Sequence, residues 1–128
     1  MPQEQSSVAP VVLIVENDVL LRLVTASNLR DAGFEVIEAA NPAEALRILA
    51  RVPVDVLFSD IDMPGNMDGL ALAQWVHRSQ ADTRIILTSG AAKAPGDVEE
   101  YASFLPKPYA EKDVERLLRS VLPSSQGE

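Results

Sequence analysis

The sequence predicts an α/β fold, an open doubly wound sheet of five parallel strands in one domain, and three observations carry that expectation. Short apolar, β-branched runs alternate with segments of helical period, the pattern of βα units around a parallel sheet. Four of those runs end in polar residues, at Glu16-Asn17, Asp60, Thr88-Ser89 and Lys107-Pro108. The 128 residues, 47% of them hydrophobic, suffice for one compact core but not for two domains of usual size.

The first strand is Val11 to Val15, apolar throughout as a strand covered on both faces should be. A helix follows from near Asp18, with Leu20, Leu21, Val24 and Leu29 on its apolar side and Gly33 closing it. The second strand, Glu35 to Glu38, is short. Asn41-Pro42 reads as an N-cap followed by proline at the first helical position, opening a helix through Ala45, Leu46 and Leu49. The third strand is Val54 to Ser59. Its helix takes Asp68 as N-cap and continues through Leu70, Leu72 and Val76.

The fourth strand is Ile85 to Thr88. The loop-like stretch Gly90 to Gly96 after it leaves only about Asp97 to Tyr101 for a fourth helix, which must be short or irregular. The fifth strand, Ser103 to Lys107, contains Pro106, which cannot donate a ladder hydrogen bond and so puts this strand on a sheet edge. The last helix, Ala110 to Val121, carries Val114, Leu117, Leu118 and Val121 at helical spacing. Residues 1–8 and 123–128 are polar and read as flexible tails around a domain at 9–122.

Composition narrows the function classes. The absence of cysteine excludes disulfides, thiolate metal sites and cysteine nucleophiles, and suits a reducing cytoplasm. Eleven basic residues against nineteen acidic ones give a net charge of −8, which disfavours nucleic acid as a partner. The apolar run at Val8 to Val15 is too short to span a bilayer and follows Glu4 rather than a basic segment, so a membrane role is not expected either.

Ligands of a doubly wound sheet bind outside the carboxyl ends of its strands, and the polar strand ends lie there. Asp68 is the better cap for the third helix, which frees Asp60 for chemistry. With Glu16 across the same edge, carboxylate repulsion demands a cation. Magnesium fits, since it favours a few oxygen ligands together with water and phosphate oxygens. A carboxylate beside magnesium, a lysine and a hydroxyl donor can accept a phosphoryl group.

At these residues the chain resembles the receiver domain of two-component response regulators, over about Val11 to Leu122. The likeness rests on Val12-Leu13-Ile14-Val15-Glu16-Asn17-Asp18, on Leu57-Phe58-Ser59-Asp60 with Met63-Pro64 and Met67-Asp68-Gly69, on Ile86-Leu87-Thr88-Ser89, and on Leu105-Pro106-Lys107-Pro108. Four such elements in this order are far more specific than any one. The resemblance implies a flavodoxin-like sheet of strand order 2-1-3-4-5 and a cis Lys107-Pro108 bond. Asp60 becomes the phosphoacceptor, served by a histidine kinase or histidine phosphotransfer protein. Glu16, Asn17, Asp60 and the backbone carbonyl of Asp62 become ligands of Mg2+. Lys107 neutralises phosphoryl charge, Thr88 bonds a phosphoryl oxygen, and Phe104 moves with Thr88 as a switch.

Three departures from the family pattern stand out. Asn17 occupies a position usually acidic, keeping an oxygen ligand while losing a charge. The loop Met63 to Gly69 is one residue longer than the commonest form, with Gly65-Asn66 absorbing the extra length. The short fourth helix alters the usual partner face. Asp18 is read as a helix cap rather than a metal ligand, His77 as a solvated side chain, Trp75 as half-buried, and Ser89 as a small spacer beside Thr88.

The leading expectation is a single-domain response regulator, a signalling protein rather than an enzyme, which acts on a downstream protein or within a phosphorelay. Two other classes compete with it. One is a receiver-like interaction module that needs no phosphate, prompted by Asn17. The other is an aspartate-nucleophile phosphatase, prompted by the pair Asp60-Ile61-Asp62, although such enzymes usually carry the pair on their first strand.

Overall fold

The computed structural model describes residues 8–65 and 67–123. The expected tails therefore lie outside the described residues except for Val8 and Pro123, and so does Asn66 of the long loop. Five strands form one parallel sheet: β1 (Val11–Val15), β2 (Glu35–Ala39), β3 (Val56–Asp60), β4 (Arg84–Ser89) and β5 (Ser103–Pro106). Their order is β2-β1-β3-β4-β5, so β3 is central and β5, with its Pro106, is an edge. Four α-helices connect and close the sheet: α1 (Val19–Asp31), α2 (Pro42–Leu49), α3 (Gly69–Ser79) and α4 (Glu111–Val121). Between β4 and β5 the described chain makes only a three-residue 3-10 turn, Val98–Glu100, whose buried Val98 plugs the core.

Burial explains why these strands form. Every residue of β3 is buried, as are Val12 to Val15 of β1 and Ile85 to Ser89 of β4, because helices cover both faces. Leu13, Leu57, Leu72 and Leu87 gather on the α2/α3 face, and Val12, Ile14, Phe58, Ile86 and Leu118 on the α1/α4 face. Each such Leu, Ile or Phe contributes about 1.5–3 kcal/mol through its burial.

Helix starts follow local chemistry. Asp18, Asn41 and Asp68 accept hydrogen bonds from the amides of Leu21, Glu44 and Ala71, satisfying donors that the first helical turn leaves free. Gly33, at φ 103°, takes the left-handed position just past α1 that closes its last turn.

Two expectations change. The third strand starts at Val56, not Val54, because the preceding residues are held otherwise: Asp55 accepts from the Val11 amide at 2.7 Å, and Thr83 Oγ1 donates to the Val54 carbonyl at 2.8 Å. The apolar side of α1 is also rotated from the expected one. Leu29 is buried, but Leu20 and Val24 are 72% and 45% exposed, joined outside by Val19 and Leu23. The inward row is Arg22, Thr25, Ala26 and Leu29, at helical spacing. Arg22 sets this phase by donating to the Glu16 carbonyl at 2.9 Å and pairing with Glu38 at 3.3 Å.

Gly69 opens α3 directly against the backbone of Asp60 and Ile61, with its amide on the Ile61 carbonyl at 3.0 Å. A Cβ at this position would collide with the Asp60 carbonyl oxygen. Gly69→Ala is therefore expected to lower stability by about 2–3 kcal/mol through overpacking, measured as the loss of unfolding free energy in a urea titration. An unchanged midpoint would show that α3 shifts away freely.

Candidate functional site

Parallel strands point their carboxyl ends the same way, and the sheet order brings those of β1, β3, β4 and β5 to one edge. Glu16 follows β1, Asp60 ends β3, Thr88 and Ser89 end β4, and Lys107 follows β5. Register fixes their spacing: Asp60 pairs with Thr88, and Lys107 donates its amide to the Ser89 carbonyl at 2.7 Å. The Lys107-Pro108 peptide is cis.

Glu16 and Asp60 are each 4% exposed. Lys107 Nζ lies 3.0 Å from Glu16 Oε1 and 3.3 Å from Asp60 Oδ2, so one ammonium bridges both carboxylates. The second oxygen of each carboxylate meets a backbone amide: Glu16 Oε2 accepts from Asp18 at 3.1 Å, and Asp60 Oδ1 from Asp62 at 3.2 Å. Burial raises the Asp60 carboxyl above its ordinary pKa. The Asp62 amide pulls it back, the Glu16 charge adds to the rise, and Lys107 opposes it. Burial works to lower the Lys107 pKa, but its bond to Glu16 and the charge of Asp60 outweigh this and raise it.

The donor set fits a hard divalent cation. Two buried carboxylates share one ammonium, which leaves a net negative charge facing solvent, and all the candidate ligands are oxygens. Among the described residues no three Asp, Glu, His or Cys side chains converge on one point. Beyond the two carboxylates an ion here would draw on mixed donors, and the further ligands expected from the sequence, Asn17 and Asp62, are both exposed. The Asp18 side chain is committed to capping α1.

Thr88 is 2% exposed, and its hydroxyl has no hydrogen-bond partner. A buried hydroxyl left unpaired costs free energy, so an oxygen arriving beside it would be welcome. Phe104 is half-buried, but register sets it beside Leu87 while Thr88 sits beside Leu105. The two side chains thus belong to opposite faces of the sheet. The aromatics sharing a recess with Thr88 and Asp60 are Phe58 and Tyr109, packed edge-on with ring centres 5.8 Å apart. Sequence reasoning passed over Tyr109, since its approach to Thr88 depends on the path of the chain after β5.

Ser89 is more than a spacer. Its hydroxyl donates to Asp62 Oδ2 at 2.7 Å and accepts from the Ala91 amide at 3.1 Å. No motif marks a serine for such a role. Trp75 is half-buried as expected, whereas the exposed His77 stacks on Tyr101 with ring centres 4.4 Å apart.

Comparison with known proteins places this chain in a family. The family model for the response regulator receiver domain matches residues 12–119. The sensor kinase CckA of Brucella abortus is 33% identical over 119 residues, a match covering 87% of this chain and 12% of the kinase. A CheY-like receiver domain protein from Methanospirillum hungatei superposes with a TM-score of 0.84 at 23% identity, covering 94% of this chain and 98% of its own. CheY4 of Vibrio cholerae superposes at 0.80 with 29% identity, covering 90% and 100%. The chain belongs to the receiver domains of two-component response regulators, signalling domains that interact with histidine kinases and downstream effectors. Phosphorylation and Mg2+ binding are typical of that family. The chain spans 12–25% of the length of the first curated relatives it matches. No described helix is long and apolar enough to cross a membrane.

Lys107→Met is expected to raise the Asp60 pKa further, because it removes the positive charge that opposes burial and Glu16. Carboxyl-carbon NMR titration measures this directly. An unmoved or lowered pKa would mean that the ammonium does not govern the charge on Asp60.

Proposed function

We propose that the chain is a phosphorylatable receiver in which Asp60 takes a phosphoryl group from a histidine kinase or histidine phosphotransfer protein, the signal then passing by protein contact. The observation that supports this most is the reach of Lys107 to both Glu16 and Asp60, at 3.0 and 3.3 Å. In the transfer, an Asp60 oxygen bonds to phosphorus as the bond from phosphorus to the donor breaks, and the electron pair stays with the donor. Such chemistry needs alignment and charge neutralisation above all. Lys107 sits where it can offset charge on the phosphoryl oxygens, and the unpartnered Thr88 hydroxyl can donate to one of them. Glu16, Asp60, the Asn17 amide oxygen and the Asp62 carbonyl would hold Mg2+, which when bound neutralises further phosphoryl charge.

Thr88 turning toward the phosphoryl group would alter its recess against Tyr109 and shift β4 against β5, which carries Phe104. The phosphodonor protein docks over the first turns of α1. Val19, Leu20, Leu23 and Val24 stand exposed there, only a few residues beyond Glu16, so a protein delivering phosphohistidine to Asp60 must cover this rim.

Treating the chain with acetyl phosphate and Mg2+ should raise its intact mass by one phosphoryl group, and Asp60→Ala should abolish the gain. A full adduct persisting in that variant would refute the assignment. Absence of any adduct in the unaltered chain would instead favour an interaction module independent of phosphate.

Asn17 bears on metal affinity. Restoring the charge with Asn17→Asp should tighten Mg2+ binding by about 1 kcal/mol, the scale of one added unit charge a few ångströms away in a solvated site. Amide shifts of residues 16–18 during Mg2+ titration measure it, and equal affinities would show that position 17 does not control the ion.

A further inference from the structure

Glu16 is buried, and each of its polar groups has a partner. Its amide donates to the Ala39 carbonyl at 3.1 Å, while its carboxylate accepts from Lys107 at 3.0 Å on one oxygen and from the Asp18 amide at 3.1 Å on the other. The remaining group is its carbonyl, which accepts from Arg22 Nη1 at 2.9 Å. Arg22 reaches back to it from the first turn of α1, and the Arg22 amide donates to the Asp18 carbonyl at 2.9 Å. One residue thus holds both ends of the turn Glu16-Asn17-Asp18.

The Arg22 side chain is only 15% exposed, and its direction is fixed from a second element. Its Nε pairs with Glu38 Oε1 on β2 at 3.3 Å, and the other Glu38 oxygen takes Arg30 Nη1 at 3.2 Å. Arg30 donates in turn to the Val36 carbonyl at 3.0 Å. A guanidinium is planar and rigid, so fixing one of its donors on Glu38 aims the next at the Glu16 carbonyl.

Charge alone makes this a poor place for an arginine, because a cation near Glu16 and Asp60 repels a metal ion. Glu38 offsets part of that charge, and what the guanidinium supplies is position. The Glu16 carbonyl and the Asn17 amide belong to one peptide plane, so holding the carbonyl sets the direction in which the chain leaves Glu16 for Asn17. Magnesium tolerates little distortion of its ligand geometry, so a rotated plane weakens binding. We propose that Arg22 is a positioning residue for the candidate Mg2+ site, which locks the Glu16–Asn17 peptide so that both side chains present their oxygens to one ion, with Glu38 aiming the lock. This rests on reading Glu16 and Asn17 as Mg2+ ligands. Without Arg22 the carbonyl of a buried residue loses its partner, and the plane is free to turn.

The test measures Mg2+ affinity of the full chain from the amide shifts of residues 16–18, comparing wild type with Arg22→Met and Arg22→Lys. Position and charge predict opposite signs for Arg22→Met. Loss of the lock should weaken binding roughly three- to ten-fold, the scale of one lost hydrogen bond, whereas removal of a positive charge alone would tighten it. Arg22→Lys keeps the charge but loses the fork, and should show a smaller loss in the same direction. Leu49→Ala, which opens a cavity under α2, provides a destabilised chain with the lock intact, and its Mg2+ affinity should match wild type. Equal or tighter binding in Arg22→Met overturns the proposal. If Arg22→Met folds poorly, wild-type affinity in Arg22→Lys overturns it as well, and so does a loss in Leu49→Ala as large as in the Arg22 variants. Absence of any Mg2+-dependent shift at residues 16–18 in wild type overturns instead the reading of Glu16 and Asn17 as ligands.

Discussion

The sharing of one ammonium between two buried carboxylates is the constraint on which the rest of this molecule depends. Glu16 and Asp60 would repel each other if left alone at a nearly dry sheet edge, and Lys107 offsets only part of that repulsion. To hold such a triad, three strands must end at one level with side chains pointing outward. A parallel sheet with β3 at its centre meets this condition. The fully buried β3 provides a rigid base for Asp60, and the flanking β1 and β4 prevent it from sliding in register.

The same constraint shapes the loops. The chain must turn sharply beyond Asp60 to start α3, and Gly69 permits the helix to pass against the Asp60 carbonyl. The Asp18 amide and the Asp62 amide each steady a carboxylate, so the segments after β1 and β3 serve as part of the site. Residual negative charge is then a property of the folded chain, one that a cation would offset. Buried charges of this kind add little to stability, since the cost of removing them from water offsets much of their attraction.

Much of this was legible in the sequence because the responsible signals are local. The strands show as apolar runs, the helix starts at Asp18, Asn41 and Asp68 as capping residues, and the sheet edge as Pro106. The site residues show as polar groups at strand ends. What escaped depends on relations between segments. The phase of α1 could not be read from its own residues, since Val19, Leu20, Leu23 and Val24 are as apolar as the side that packs, and Arg22, bonded to another element, decides the rotation. The resemblance alone coupled Thr88 to Phe104, and the β4–β5 register, which sets Leu105 beside Thr88 and Phe104 beside Leu87, is a relation that neither strand shows by itself. Ser89 and Tyr109 carry no distinctive spacing, and their contacts exist only after the loops are closed.

The outward apolar stripe of α1 also has a colloidal consequence. A surface bearing four exposed aliphatic side chains in two turns resists self-association chiefly through long-range repulsion, which here comes from a net charge of −8. Acidification toward the isoelectric point near 4.6 removes that repulsion while leaving the stripe unchanged. Added salt acts in the same direction by shortening the range of the field. The acidity of the chain therefore acts on the stripe from a distance: the excess of Asp and Glu over Lys and Arg sets up a repulsion between copies that opposes contact through the exposed side of α1.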